Sequence, residues 1–101
     1  MDNQHKLIKG YRDLTHTEID LMNRIKKNEE TTMELVKEVK GILRVQEEMA
    51  RQEGDDGTLH RHSIAEPQRW CAMAKSQLQV GFMQLVRAVA QPQSPNGNLE
   101  Q

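Results

Sequence analysis

The strongest constraint on the fold of this chain is a helical pattern that runs for about 35 residues with few interruptions. Thr15 and Glu18 form a capping box, in which a hydroxyl and a carboxylate three residues apart satisfy free backbone donors. From Ile19 onward, apolar residues recur at steps of three and four, and only Gly41 weakens the pattern before Gly54. A helix of this length spans roughly 50 Å at ~1.5 Å per residue. Another element must therefore cover its apolar stripe.

A second long helix is predicted in the C-terminal half of the chain. Residues 53–62 combine two glycines with three acidic residues, which predicts an exposed loop. Ser63 and Glu66 form a second capping box, and Pro67 fits the first turn of a helix because its missing donor does little harm there. We therefore expect the second helix to begin near these residues.

The ends of the chain complete the predicted fold. Residues 2–9 can form a short helix that stops at Gly10, and the second long helix should end before Pro92. Residues 93–101 are polar and rich in helix breakers, which predicts a disordered tail. The sequence thus predicts an all-α fold in one domain over residues 1–92, with a short N-terminal helix followed by a long antiparallel helical hairpin.

The apolar content is too low for a large self-contained core. It is 36 %, and adding the six glycines still leaves it below the ~45–50 % of an ordinary globular domain. Two helices bury only one face of each other, so we expect a compact homo-oligomer to complete the core. Gly81 costs ~1 kcal/mol inside a helix relative to alanine, which predicts that another helix approaches closely there.

Charge and cysteine content exclude several classes of protein. The chain has 14 Lys and Arg against 15 Asp and Glu, a net charge of −1, and so lacks the basic excess of a protein that grips long DNA or RNA. Any polyanion that it binds should be small. Cys71 is the single cysteine, so no disulfide can form within one chain. The polar N-terminus and the lack of a long apolar run predict a cytoplasmic protein without a membrane span.

Catalytic and metal sites find little support in the sequence. His60 and His62 lie near Asp55 and Asp56, a combination that could bind a metal ion. Polar glycine-rich loops commonly collect such residues as solvated side chains, so we expect no metal site. Cys71 follows Trp70 on a predicted helix, where a small buried cysteine is more common than a nucleophile. No glycine loop that could cradle a phosphate is present, and we expect no enzymatic activity and no cofactor.

Two features suggest a nucleotide ligand instead. Tyr11, the single tyrosine, precedes a helix whose early turns carry Lys26 and other cations, and a flat ring beside cations can hold a base and its phosphate. The second helix carries Arg69 and Lys75 with Glu66 as the one acidic residue near it. If symmetry brings copies of these cations together, a bound anion would relieve their repulsion. The alternative is a packing tyrosine and ordinary surface cations.

Four sequence blocks resemble a known family. They are GYRDLT at 10–15, EIDLMNRIK at 18–26, RWCAMAK at 69–75 and GFMQLVRAVA at 81–90. Together and in this order they resemble the phage anti-CBASS cyclic-oligonucleotide sponges. CBASS is the bacterial cyclic-oligonucleotide-based anti-phage signalling system. The resemblance covers residues 7–92 and leaves out the acidic loop and the tail.

The resemblance implies a small helical protein that assembles into a homohexamer in the cytoplasm of the infected host. Such a protein sequesters cyclic di- and trinucleotide signals without cleaving them. Carried over by motif, Tyr11 would stack on a base of the dinucleotide, Lys26 would pair with its phosphate, and Arg12 would contribute to the same site. Arg69 would bind phosphates of the trinucleotide, together with Asn28.

Other functions remain open at this point. The main alternative is a structural or protein-binding helical assembly in which Tyr11 and Arg69 only secure subunit contacts. A small DNA-binding regulator is disfavoured by the near-zero net charge. Capture of cyclic ADP-ribose signals would use the same ring and cations as capture of cyclic nucleotides, so the sequence does not separate these two.

Overall fold

Three helices account for nearly all of the chain that the computed structural model describes, residues 12–92. They are α1 (His16–Glu53), α2 (Asp56–Ala65) and α3 (Pro67–Ala90), and no strand occurs in this range. The predicted all-α class is confirmed. The predicted short helix over residues 2–9 and the predicted tail over 93–101 lie outside the described residues. Contacts divide the chain into two compact units, residues 29–79 and residues 1–28 with 80–101.

Helix α1 begins and ends where the sequence predicts. The Thr15 N–H donates to Glu18 Oε1 at 2.9 Å, and the Glu18 N–H donates to Thr15 Oγ1 at 3.2 Å, so the capping box is complete. After 38 residues, Gly54 turns the chain with φ +68°. The Asp55 N–H then donates to the Ala50 carbonyl at 2.8 Å. This six-to-one bond is the Schellman motif, in which glycine adopts the left-handed conformation at no steric cost.

Helix α2 replaces most of the exposed loop that we predicted over residues 53–62, so that prediction is wrong. Asp55 caps the helix: its Oδ1 accepts from the Thr58 N–H at 3.1 Å and its Oδ2 from the Thr58 hydroxyl at 2.7 Å. These bonds, first the one from the Thr58 side chain, lower the pKa of Asp55. The glycines and acidic residues that suggested a loop therefore mark the start of a helix, where Asp is a preferred capping residue.

The predicted second capping box is also wrong, although α3 does start at Pro67. Ser63 lies inside the last turn of α2. Glu66 adopts a left-handed conformation, with φ 49°, and its N–H donates to the His62 carbonyl at 2.9 Å. Glu66 thus ends α2 and is the single residue between α2 and α3.

Contacts within the 29–79 unit show antiparallel pairing of α1 with the elements that follow it. Cys71 Sγ lies 3.9 Å from the Val36 carbonyl oxygen. The buried His62 hydrogen-bonds through Nε2 to Gln46 Oε1 at 3.0 Å. Ala50, only 3 % exposed, is the buried apolar residue of this unit. Later residues of α1 thus pair with earlier residues of the returning chain, as a helical hairpin requires.

The other unit pairs the start of α1 with the end of α3 in its described parts, 12–28 and 80–92. Ala90 is buried here. Helix α3 ends with Gln91 in a left-handed conformation, φ 50°, and the Gln91 N–H donates to the Arg87 carbonyl at 2.8 Å. The helix therefore ends before Pro92, as predicted.

Large apolar side chains remain exposed along both long helices. Leu35 and Ile42 are each 59 % exposed on α1, and Trp70 is 58 % and Met83 62 % exposed on α3. Within the described residues, no other helix makes the close approach that we predicted at Gly81. A Cβ added there would meet no heavy atom of the described residues within 4 Å. The described chain on its own leaves Gly81 facing open space.

Candidate functional site

Arg12, a predicted ligand-binding residue, is held by acceptors of the chain itself. Its Nη2 donates to Glu18 Oε2 at 2.7 Å and its Nη1 to Glu18 Oε1 at 3.1 Å, which makes a two-pronged ion pair. Nη2 also donates to the Val89 carbonyl at 3.0 Å, and Nη1 to the Asp13 carbonyl at 3.2 Å. Arg12 therefore fastens the chain segment before α1 to the end of α3. A phosphate that approached this guanidinium would compete with Glu18 for its Nη groups.

The same arrangement perturbs the Glu18 carboxylate. The hydrogen bond from Arg12, followed by that from the Thr15 backbone, lowers the pKa of Glu18 from 4.5 to about 2. A carboxyl with a depressed folded pKa stabilises the fold above its unfolded pKa, and this stabilisation disappears as the pH falls through the folded value. Glu18 should therefore support folding at neutral pH and lose that role between about pH 4.5 and pH 2.

We expect Glu18→Gln to lower the urea midpoint at neutral pH and to reduce its acid dependence. A neutral amide keeps the shape but loses the charge that binds Arg12, so the variant should lose less stability than the parent on acidification. Urea unfolding at fixed protein concentration, at about pH 7 and about pH 3, measures both effects. Glu38→Gln, at an exposed position of the same helix, is the matched control. Equal acid dependence in the parent and Glu18→Gln would contradict the assignment.

Of the two other residues predicted for the dinucleotide site, Tyr11 and Lys26, the structure describes only Lys26. Tyr11 lies outside the described residues. Lys26 is exposed on α1. Asn28, predicted for the trinucleotide site, is exposed on α1 two residues later, and its Nδ2 donates to the Arg24 carbonyl at 2.9 Å. Lys26 and Asn28 are thus available to solvent near one end of α1.

Arg69 lies in the first turn of α3 and is open to solvent. Its side chain is 60 % exposed, and its Nη1 lies 3.8 Å from Glu66 Oε1. Its Cζ lies 5.8 Å from the centre of the Trp70 ring, within range of a cation–π contact. An exposed pair of this length contributes little to stability, so a ligand phosphate could replace Glu66 at small cost. Arg69 belongs to the 29–79 unit and Asn28 to the other unit.

The histidines that could have bound a metal ion are separated by the structure. His62 points inward, with its Nδ1 lying 3.5 Å from Glu47 Oε2, whereas His60 is exposed. Among residues 12–92, no group of three or more potential ligands converges. Cys71, expected to be buried, is half-buried. Over the same range, no helix is long and apolar enough to cross a membrane.

Sequence reasoning missed two side chains that organise these regions. Glu18 was recognised only as part of a capping box, yet it also binds Arg12. His62 was treated as a loop residue, yet it is buried beside Gln46. Because residues 53–62 were predicted to be a loop, nothing local indicated that His62 is buried, whereas Arg12 and Glu18 could have been paired by charge.

In comparison with known proteins, nearly the whole chain matches one family. The family model described as the Acb2/Tad1 hairpin domain matches residues 3–90. The chain is also 40 % identical over 106 aligned residues to Anti-CBASS protein 2 of Pseudomonas phage JBD67. That alignment covers 92 % of this chain and 98 % of the phage protein.

Proposed function

Because the chain belongs to the Acb2/Tad1 hairpin-domain family, we propose that it counters CBASS by sequestering cyclic di- and trinucleotide signals without cleaving them. The observation that carries the proposal is the 40 % identity, over almost the full length of both chains, to a protein named Anti-CBASS protein 2. The proposed site of action is the cytoplasm of an infected bacterium, where such signals are made.

The distribution of charge supports a small anionic ligand. Helix α3 contains no Asp or Glu between Pro67 and Ala90, but it carries Arg69, Lys75 and Arg87. The net charge of the whole chain is −1, so these cations form a local excess rather than a general affinity for polyanions. Local positive charge of this kind suits a few phosphates better than a long nucleic acid.

We assign the dinucleotide to Tyr11, Lys26 and Arg12. Tyr11 offers a ring for base stacking, which is worth ~1–3 kcal/mol per base, and Lys26 offers an exposed ammonium for phosphate. Since Arg12 is bound to Glu18 and the Val89 carbonyl, its part in this site is to fix the backbone beside Tyr11. A phosphate in direct contact with Arg12 would compete with Glu18 for the guanidinium.

We assign the trinucleotide to Arg69 and Asn28. An arginine presents a planar fork of donors that matches a phosphate, and Arg69 is 60 % exposed. The two residues lie in different units of the chain. The proposal allows them to come from different protomers of an oligomer, so that each pocket is completed by assembly.

Exposed apolar surface supports self-association, and a homohexamer is our proposal for its size. Within residues 12–92, only Ala50 and Ala90 are buried apolar residues, while Leu35, Ile42 and Met83 are more than half exposed. Exposed large apolar side chains at helical spacing mark contact surfaces in soluble proteins. Open space at Gly81 would let another protomer approach the α3 backbone.

The same exposed surface favours a second candidate, a structural or protein-binding assembly with no nucleotide ligand. Isothermal titration calorimetry against a panel of cyclic di- and trinucleotides, followed by chromatography of the recovered ligand, separates the two. We expect tight binding, intact ligand and a stoichiometry that counts the pockets. Absence of heat with every member would support the alternative, and a cleaved ligand would overturn sequestration. Analytical ultracentrifugation of the same sample tests the hexamer.

A further inference from the structure

A groove in the 29–79 unit is lined by two lysines from different helices. Its volume is about 310 Å³, and Lys40 of α1 and Lys75 of α3 both line it. The remaining lining residues supply either apolar contact or uncharged hydrogen-bonding groups. They are Val36, Cys71 and Ala72, and Gln68, Ser76 and Gln79. The groove thus combines positive charge with an apolar surface and amide or hydroxyl groups.

Among residues 12–92, no carboxylate forms an ion pair with either of these two lysines. At three and four positions from Lys40 stand Val36, Lys37, Leu43 and Arg44, none of which is acidic. Around Lys75, the corresponding positions hold Cys71, Ala72, Leu78 and Gln79. Over residues 12–92, neither lysine forms an ion pair, and the groove lining includes no Asp or Glu.

Like charges that share a groove without a counterion favour a bound anion. Each lysine offers three donors on a flexible stem, so two of them can contact one phosphate from opposite helices. A phosphate between them would replace mutual repulsion with two charge-assisted contacts. The charge therefore selects an anion, and the lining residues determine which anion fits.

The size and lining favour an organic phosphate about as large as one nucleotide. A volume of about 310 Å³ lies at the lower end of ligand pockets, ~300–1,000 Å³, and is small for a whole cyclic trinucleotide. The apolar residues Val36 and Ala72 can contact a base or sugar. The amides of Gln68 and Gln79 can hydrogen-bond to a base edge, as glutamine does with adenine. Inorganic phosphate would use none of these groups.

We propose that this groove binds a single nucleoside phosphate, with Lys40 and Lys75 on the phosphate and the glutamines on the base. The site shares no residue with the groups assigned above to cyclic di- and trinucleotides, and the proposal does not depend on them.

Cys71 provides a local readout of occupancy because it is the single cysteine of the chain and lines the groove. The experiment measures the rate of iodoacetamide alkylation of Cys71 in the full-length protein, with and without adenosine 5′-monophosphate. At a ligand concentration of about 10 mM we expect alkylation to slow about five-fold, given the millimolar affinity that a few exposed contacts provide. Adenosine and inorganic phosphate at the same ionic strength should protect much less.

The variants make the test specific. Lys40→Gln with Lys75→Gln should abolish protection, measured in each variant as the ratio of its own alkylation rates with and without ligand, with folding checked by circular dichroism. Lys26→Gln, which alters the proposed dinucleotide site, should retain full protection. Undiminished protection in the double lysine variant would overturn the proposal, as would loss of protection in Lys26→Gln. A thiol that reacts only after unfolding would show that the groove is covered, which also overturns it. Calorimetry with cyclic nucleotides remains a separate test of the proposed function.

Discussion

Replacement of Tyr11 by alanine is expected to weaken the capture of cyclic dinucleotides by roughly 5- to 150-fold, since stacking on one ring contributes ~1–3 kcal/mol per base. Capture of cyclic trinucleotides should be nearly unchanged. Calorimetric titration of each variant with both ligand classes measures the two affinities, and the ratio of the two losses is the informative quantity.

Two pairs of variants control this prediction. Tyr11→Phe keeps the ring and should retain most of the affinity. If the hydroxyl supplied the main contact instead, Tyr11→Phe would lose as much affinity as Tyr11→Ala. Lys26→Ala should weaken dinucleotide binding about ten-fold or more because it removes a charge-assisted phosphate contact. Lys37→Ala removes an exposed lysine of the same helix and should have little effect. Equal losses from Lys26→Ala and Lys37→Ala would indicate a general charge effect and no site.

Arg69→Ala is expected to reduce trinucleotide affinity by about ten-fold for each arginine that contacts the ligand, and by more where symmetry repeats the contact. Dinucleotide affinity should be unchanged. Arg69→Lys should be intermediate, since an ammonium keeps the charge but not the planar fork. Titration of both ligand classes is again the measurement.

The neighbour of Arg69 gives this prediction its sharpest control. Glu66 lies 3.8 Å from the arginine and competes with a phosphate for it. Glu66→Gln should therefore tighten trinucleotide binding slightly, by less than about three-fold, because an exposed pair of this kind is weak. A weaker trinucleotide complex in Glu66→Gln would show that the carboxylate positions Arg69 and does not compete with the ligand.

Local sequence signals predicted the helix ends where side chains and backbone act within one turn. Thr15 and Glu18 cap α1 as the spacing indicates, and Gly54 ends it. The same kind of signal failed at Ser63, because a capping-box spacing also occurs by chance inside a helix. Nothing in a glutamate indicates the left-handed conformation that Glu66 adopts at the joint between α2 and α3.

Contacts between distant parts of the chain could not be predicted from the sequence. Arg12, which its block predicts to meet a ligand, also binds Glu18 and the carbonyl of Val89, which is 77 positions away. Such a contact depends on the register of the hairpin, which no local pattern fixes. The groove between Lys40 and Lys75 has the same origin, since each lysine alone is an ordinary surface residue. The sequence places no acidic residue three or four positions from either lysine, but it does not indicate that the two lysines share a groove.

The single-residue joint at Glu66 has a consequence for how genes of this family can change in length. One residue added to the first turn of α3 would rotate every following side chain by about 100°, at 3.6 residues per turn. Lys75 would then leave the groove that it shares with Lys40. We therefore expect selection against insertions at this joint and better tolerance of insertions at the exposed turn of Gly54 and Asp55. A library of random single-codon insertions, selected for folded protein, would reveal the two positions as opposite extremes of tolerance.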